Sequence, residues 1–140
     1  MNVASMLDDH IERMGELPFF IYEDTEYSNV WLRDEAFKLG EALLKLGVKR
    51  GDRVGVTLVN SPEAFVAFQA IFRIGAVIVP LMPPLSPSET EFILRDAESR
   101  IYMVSAELAD KMEMARSIAD LERIIVVGDG DAGPKSVNYN

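Results

Sequence analysis

Between Arg53 and Val127 short apolar runs alternate with longer segments of helical period, and no other feature limits the fold of this chain so strongly. Arg53–Val59 reads as a strand and is followed by a helix over Pro62–Ile74. Ala76–Pro80 precedes a helix over Pro87–Ala97, Ile101–Val104 precedes one over Ala106–Ile118, and Arg123–Val127 closes the series. Strands joined through helices of this length run parallel, because the crossover returns the chain to the end from which it started. Runs such as Val77-Ile78-Val79 are apolar on both faces, which suits a sheet covered on both sides. The expected class is α/β, with a mainly parallel, doubly wound sheet and flanking helices. Local punctuation agrees: Ser61-Pro62, Ser86-Pro87 and Ser105 with Glu107 offer helix starts, and Ser86-Pro87-Ser88-Glu89 has capping-box spacing.

Ahead of this series, Val3–Met14 reads as a helix, with Met6, Leu7, Ile11 and Met14 at helical spacing and Ser5 and Asp8 as early acceptors. Pro18–Tyr22 and Tyr27–Leu32 read as a β-hairpin joined by Glu23-Asp24-Thr25-Glu26. Arg33–Leu46 is amphipathic, its apolar stripe formed by Ala36, Leu39, Gly40, Leu43, Leu44 and Leu46, and Gly47 ends it. Residues 128–140 have no apolar period. The expected division is one incomplete α/β unit over 1–127 and a flexible tail or loop over 128–140.

The segment Pro62–Ile74 is apolar around most of its circumference, through Phe65, Val66, Phe68, Ile71, Phe72 and Ile74. Such a helix needs neighbours on more than one side. The expected partner is the remainder of a longer chain or a like subunit, which leaves a homo-oligomer possible. Ala64–Leu85 imitates a membrane span, yet Arg73 near the bilayer centre would cost roughly 2.5–3.5 kcal/mol, and Gly75, Pro80, Pro83 and Pro84 interrupt the run. No transmembrane segment is expected.

The net charge of −9 disfavours nucleic acid, and the basic group Lys49, Arg50 and Arg53 is interrupted by Asp52. Cysteine is absent and the amino terminus lacks a signal-peptide pattern, so a cytoplasmic location is expected. His10 is the single histidine and lies on a polar helix face without a candidate Cys or second His, so neither a metal site nor a His-based triad is expected from this chain alone. Gly128-Asp129-Gly130-Asp131-Ala132-Gly133 follows a strand, but its two aspartates would repel phosphate and no helix follows to aim amides at an anion. The pairs Asp8-Asp9, Glu23-Asp24 and Asp34-Glu35 are sequence neighbours whose side chains point apart. No catalytic, cofactor-binding or metal-binding residue is assigned.

Three blocks, in order, carry a family resemblance: Gly47-Val48-Lys49-Arg50-Gly51-Asp52-Arg53-Val54; Leu58-Val59-Asn60-Ser61-Pro62-Glu63-Ala64-Phe65; and Ile74-Gly75-Ala76-Val77-Ile78-Val79-Pro80-Leu81. A fourth follows in Leu85-Ser86-Pro87-Ser88-Glu89 and Phe92–Ala97. Over roughly residues 31–127 the chain resembles the amino-terminal part of the adenylate-forming superfamily, and its wording is closest to fatty acyl-CoA synthetases. The resemblance implies a full-length enzyme that joins a carboxylate to the α-phosphate of ATP and passes the acyl group to a thiol such as coenzyme A. ATP, Mg²⁺ and coenzyme A are therefore implied for the whole enzyme. The family's phosphate loop, magnesium-holding Glu, ribose-binding Asp and catalytic Lys lie later in such chains. Lys135 lacks the preceding Ser/Thr/Gly run. Pro80-Leu81-Met82-Pro83-Pro84 and Val30-Trp31 depart from the family's usual wording, which bears on the subfamily. The expectation is a fragment that is not catalytically competent alone. A stand-alone oligomerisation or ligase-binding domain is the alternative, and a small acyl- or nucleotide-binding module ranks last.

Overall fold

The structure, a computed structural model, describes residues 2–129 and 136–139. In chain order the elements are α1 (Val3–Met14), β1 (Pro18–Tyr22), β2 (Thr25–Ser28), α2 (Asn29–Lys45), β3 (Arg53–Thr57), α3 (Pro62–Arg73), β4 (Val77–Pro80), α4 (Pro87–Asp96), β5 (Ile101–Ser105), α5 (Ala109–Arg116), β6 (Arg123–Val127) and β7 (Ser136–Tyr139). They divide into two units, Met1–Gly51 with Asn60–Ala76, and Asp52–Val59 with Val77–Asn140.

In the first unit α1, α2 and α3 accompany the hairpin β1–β2. The amino-terminal cap of α1 is Asn2, whose side chain accepts the Ala4 N–H at 3.0 Å. The expected acceptors do other work: Ser5 donates to the Asn2 carbonyl, and Asp8 pairs with Arg73. The hairpin turns on Glu23 and Asp24 alone, with φ of 45° and 62°. Positive φ at both central positions matches the right-handed twist of the strands, as in a type I′ turn. This corrects the four-residue connection expected over 23–26. The second strand also ends earlier than expected, at Ser28, because the Ser28 hydroxyl caps α2 by accepting the Trp31 N–H at 3.1 Å. Tyr27, Val30 and Trp31 have strand-like side chains, and the cap overrides that preference.

Asn29 explains why this corner is fixed. Its buried carboxamide oxygen accepts from Leu17 (3.0 Å) and Val30 (2.8 Å), while its NH₂ donates to the Gly15 carbonyl at 3.0 Å. One side chain thus ties the end of α1 to the start of α2. Between α1 and α3, Arg73 makes a bidentate pair with Asp8 at 2.8 and 2.9 Å and lies 4.1 Å from the centroid of Phe37. On α2, Gly40 is placed so that an added Cβ would sit 3.3 Å from the Ile74 methyl, so its smallness allows α2 and α3 to approach.

The second unit is built on a five-stranded parallel sheet of order β4-β3-β5-β6-β7. On one face Tyr102 and Val104 of β5 and Ile124 and Val126 of β6 join Leu94 of α4 and Met112 and Ala115 of α5 in a single core. The alternate residues Val54, Val56, Met103 and Ile125 are buried as well, as a parallel sheet read from its apolar strands requires. Gly55 is the close-approach point: a Cβ there would lie 2.2 Å from Leu94 Cδ2 and 3.1 Å from Tyr102 Cδ2. The α4 capping box forms, with Ser86 and Glu89 bonding reciprocally.

Two readings need correction here. Helix α5 begins at Ala109, not Ala106, because Ser105 stays in β5 and its hydroxyl accepts the Val59 N–H at 3.0 Å instead of capping a helix. Part of the expected tail is strand: Ser136–Tyr139 pairs in parallel with β6, and the Gly128 N–H donates to the Tyr139 carbonyl at 3.2 Å. That pairing is made by the backbone, which hydropathy does not report. Residues 130–135 lie outside the described residues.

Candidate functional site

Open parallel sheets bind ligands at the carboxyl ends of strands where the winding reverses, here between β3 and β5. The groups at that point answer one another. Tyr102 is fully buried and its hydroxyl donates to Thr57 Oγ1 at 2.8 Å, while Ser105 is held by the Val59 amide. Burial pushes the Tyr102 phenol up to about 12, with the Thr57 hydrogen bond working against that rise. A neutral phenol with a satisfied hydroxyl is a fastening between two strands rather than an acid, base or nucleophile.

An apolar concavity lies within the first unit, between Phe20–Tyr22 of β1 and the amino-terminal half of α3. It is a cleft of about 470 Å³ lined also by Asn60, Ser61, Ala64, Phe65 and Phe68. Its floor is an aromatic stack. Phe20 lies 4.6 Å from Phe65 at 20° and 4.9 Å from Tyr27 at 11°, and Trp31 stands 4.6 Å from Tyr27 and 6.3 Å from Phe20. Offset stacking at these separations contributes about 0.5–1.5 kcal/mol per pair beyond burial, so the floor is preorganised. Lining residues are exposed: Ile21 is 72%, Phe65 49% and Phe68 38% accessible. The expectation that the helix over 62–74 carries more apolar surface than its neighbours cover agrees with this exposure of Phe65 and Phe68. Its other side, Val66, Ala67, Ala70 and Ile71, is buried.

Acidic residues are frequent in the elements that form the cleft, although none lines it. Glu23 and Asp24 form the hairpin turn, Glu26 is the cross-strand partner of Ile21, and Glu63 lies in the first turn of α3. No Lys or Arg occurs between Arg13 and Arg33, and Arg73 is at the far end of α3. Ser61 begins α3 without a side-chain cap bond, in contrast to the expected serine cap; Pro62 at the first position fixes the start instead.

The residues weighed in the sequence fall mostly into scaffold. His10 is exposed and its Nδ1 lies 3.4 Å from the Asn29 amide nitrogen. Asp34 pairs with Arg33, and Glu35 with Lys38. Arg53 of the small basic group donates to the Ala97 carbonyl at 2.8 Å and pairs with Glu98. Gly128 adopts φ 101° beside exposed Asp129, while Gly130, Gly133 and Lys135 lie outside the described residues. Among the described residues no three carboxylate or imidazole groups are placed to hold a metal ion, and no helix is long and apolar enough to cross a membrane. The aromatic cleft was not singled out in the sequence. Its signal was present in the density of aromatics over 19–31 and in Phe65 and Phe68, but only the fold brings the two sets together.

Known proteins agree with this architecture. The chain is 31% identical over 111 residues to a crotonobetaine/carnitine–CoA ligase of Citrobacter koseri, covering 76% of this chain and 22% of that protein. It is 35% identical over 92 residues to a 3-hydroxybenzoate–CoA ligase of Aromatoleum sp., covering 65% and 18% respectively. Among solved structures, an anthranilate CoA ligase in complex with anthranoyl-AMP superposes with a TM-score of 0.89 at 30% identity, over 98% of this chain and 27% of that one. The chain therefore spans about a quarter or less of the length of these relatives. The family model described as AMP-binding enzyme matches residues 7–139, and the chain belongs to that family.

Proposed function

We propose that this chain is the amino-terminal scaffold of an ATP-dependent acyl- or aryl-CoA ligase acting in the cytoplasm. The whole enzyme would adenylate a carboxylic acid and then transfer the acyl group to coenzyme A. The observation that carries the reading is the match over nearly the whole of this chain to about a quarter of CoA ligases. The described residues do not fit ATP or Mg²⁺. The Tyr102 and Thr57 hydroxyls at the switch point satisfy one another and, among the described residues, no three His, Asp or Glu side chains are grouped to hold a metal ion, so no chemical step is assigned to this chain. Its part is to hold a packed α/β layer against which the catalytic portion is built. The test is to capture the native polypeptide with an antibody raised against the 140-residue chain and assay carboxylate-dependent ATP–pyrophosphate exchange across aliphatic and aromatic acids. Exchange by the captured protein and none by the isolated chain is expected. Absence of exchange with every acid in the captured protein would overturn the reading.

A further inference from the structure

We propose that the outward face of α1 is a binding site for a soft monovalent cation, Cu(I), with Met6 and Met14 as thioether ligands and His10 as the imidazole ligand between them. The site stands apart from the ligase reading and needs none of its chemistry.

The three residues occupy positions i, i+4 and i+8 of one helix. A step of four residues returns to nearly the same side of an α-helix and advances about 6 Å along its axis, so each sulfur begins next to the ring. Met6, His10 and Met14, together with Asp9 and Arg13, line one concavity of about 330 Å³. None of the three ligands is committed to the core. Met6 is 60% and Met14 62% exposed, His10 is exposed as well, and α1 is seated instead through buried Ala4 and Leu7. A methionine side chain has three rotatable bonds and can swing its sulfur towards the ring. His10 Nδ1 lies 3.4 Å from the Asn29 amide nitrogen, longer than an ordinary hydrogen bond, so that contact does not lock the imidazole. Coordination through Nε2 places the ring proton on Nδ1.

Donor chemistry then selects the ion. Cysteine and a second histidine are absent, but thioether sulfur is a third soft donor, and thioethers select Cu(I). Zinc or magnesium would need further imidazoles or carboxylates, and among the described residues no three His, Asp or Glu groups are placed to supply them. Asp9 and Arg13 carry opposite charges, so their fields offset one another and the thioether and imidazole donors decide the choice. The other methionines provide an internal contrast: Met103 and Met112 are buried, and Met82, 66% exposed, belongs to the second unit with no histidine in it.

The experiment supplies Cu(I) to the 140-residue chain as its bicinchoninate complex under anaerobic, reducing conditions and follows transfer by loss of the complex's colour. One equivalent is expected to transfer, and a tenfold excess of Zn(II) should not displace it. Met6→Leu and Met14→Leu keep the apolar bulk and remove the sulfur; each should weaken binding at least tenfold, as should His10→Gln. Met82→Leu should stay within twofold of the wild type. X-ray absorption at the copper edge should show sulfur and nitrogen neighbours together. Circular dichroism of each variant separates lost binding from lost fold. No transfer from the indicator, displacement by Zn(II), binding undiminished in any of the three α1 variants while the fold is intact, or a copper neighbourhood without sulfur would each overturn the proposal.

Discussion

Arg73 carries more of the first unit than its sequence position suggests. Its side chain is 13% exposed, bidentate to the 35% exposed Asp8, and stacked on Phe37. The geometry lies between a surface pair and a buried one, so Asp8→Asn should cost about 1–3 kcal/mol in urea unfolding. The hydrogen bonds and charge of Arg73 hold the Asp8 carboxyl below its ordinary value of 3.8. For an acid so lowered, the stabilisation is present above pH 3.8 and is lost as pH falls through the folded-state value. The wild-type chain should therefore lose stability on acidification below about pH 4, and Asp8→Asn should flatten that part of the profile. Tyr102 has the opposite sign. Its phenol is pushed up to about 12, so the stability it contributes is present below pH 10 and declines as pH rises from 10 towards 12. Alkaline difference spectroscopy should show one tyrosine ionising later than the others, and Tyr102→Phe should remove that late component at a stability cost of about 1 kcal/mol.

At the scale of elements, the contrast between two serines separates sequence pattern from realised contact. Ser86→Ala removes the hydroxyl half of the capping box, leaving the backbone N–H of residue 86 to donate to Glu89, and should cost about 0.5–2 kcal/mol, whereas Ser61→Ala removes no cap bond and should change stability by less than about 0.5 kcal/mol in the same assay. Gly55→Ala presses a methyl against Leu94 and Tyr102 in a packed core, with an expected loss of about 1–3 kcal/mol. The strands and helices from Arg53 to Val127 were legible because their hydropathy periods are strong and their faces are buried. Three features were not. Ser28 as a cap ended β2 early against the strand preference of Tyr27 and Trp31, Ser105 was drawn into a strand by the Val59 amide, and β7 pairs with β6 through a backbone ladder. Each turns on one hydrogen bond or one ladder, which a period does not encode. The cleft was hidden for a different reason: Phe20 and Phe65 stand 45 positions apart and become neighbours only after folding.

For the molecule as a whole, family membership and the unmatched length of its relatives bear on one claim, that this layer serves a larger ligase. The most direct test is the mass of the native polypeptide in its source cells, by immunoblot or intact-mass analysis. A species about three to five times heavier than 15.6 kDa, showing carboxylate-dependent ATP–pyrophosphate exchange, is the expected result. A native species of 15.6 kDa that shows no exchange with any carboxylic acid and joins no larger ligase would contradict it.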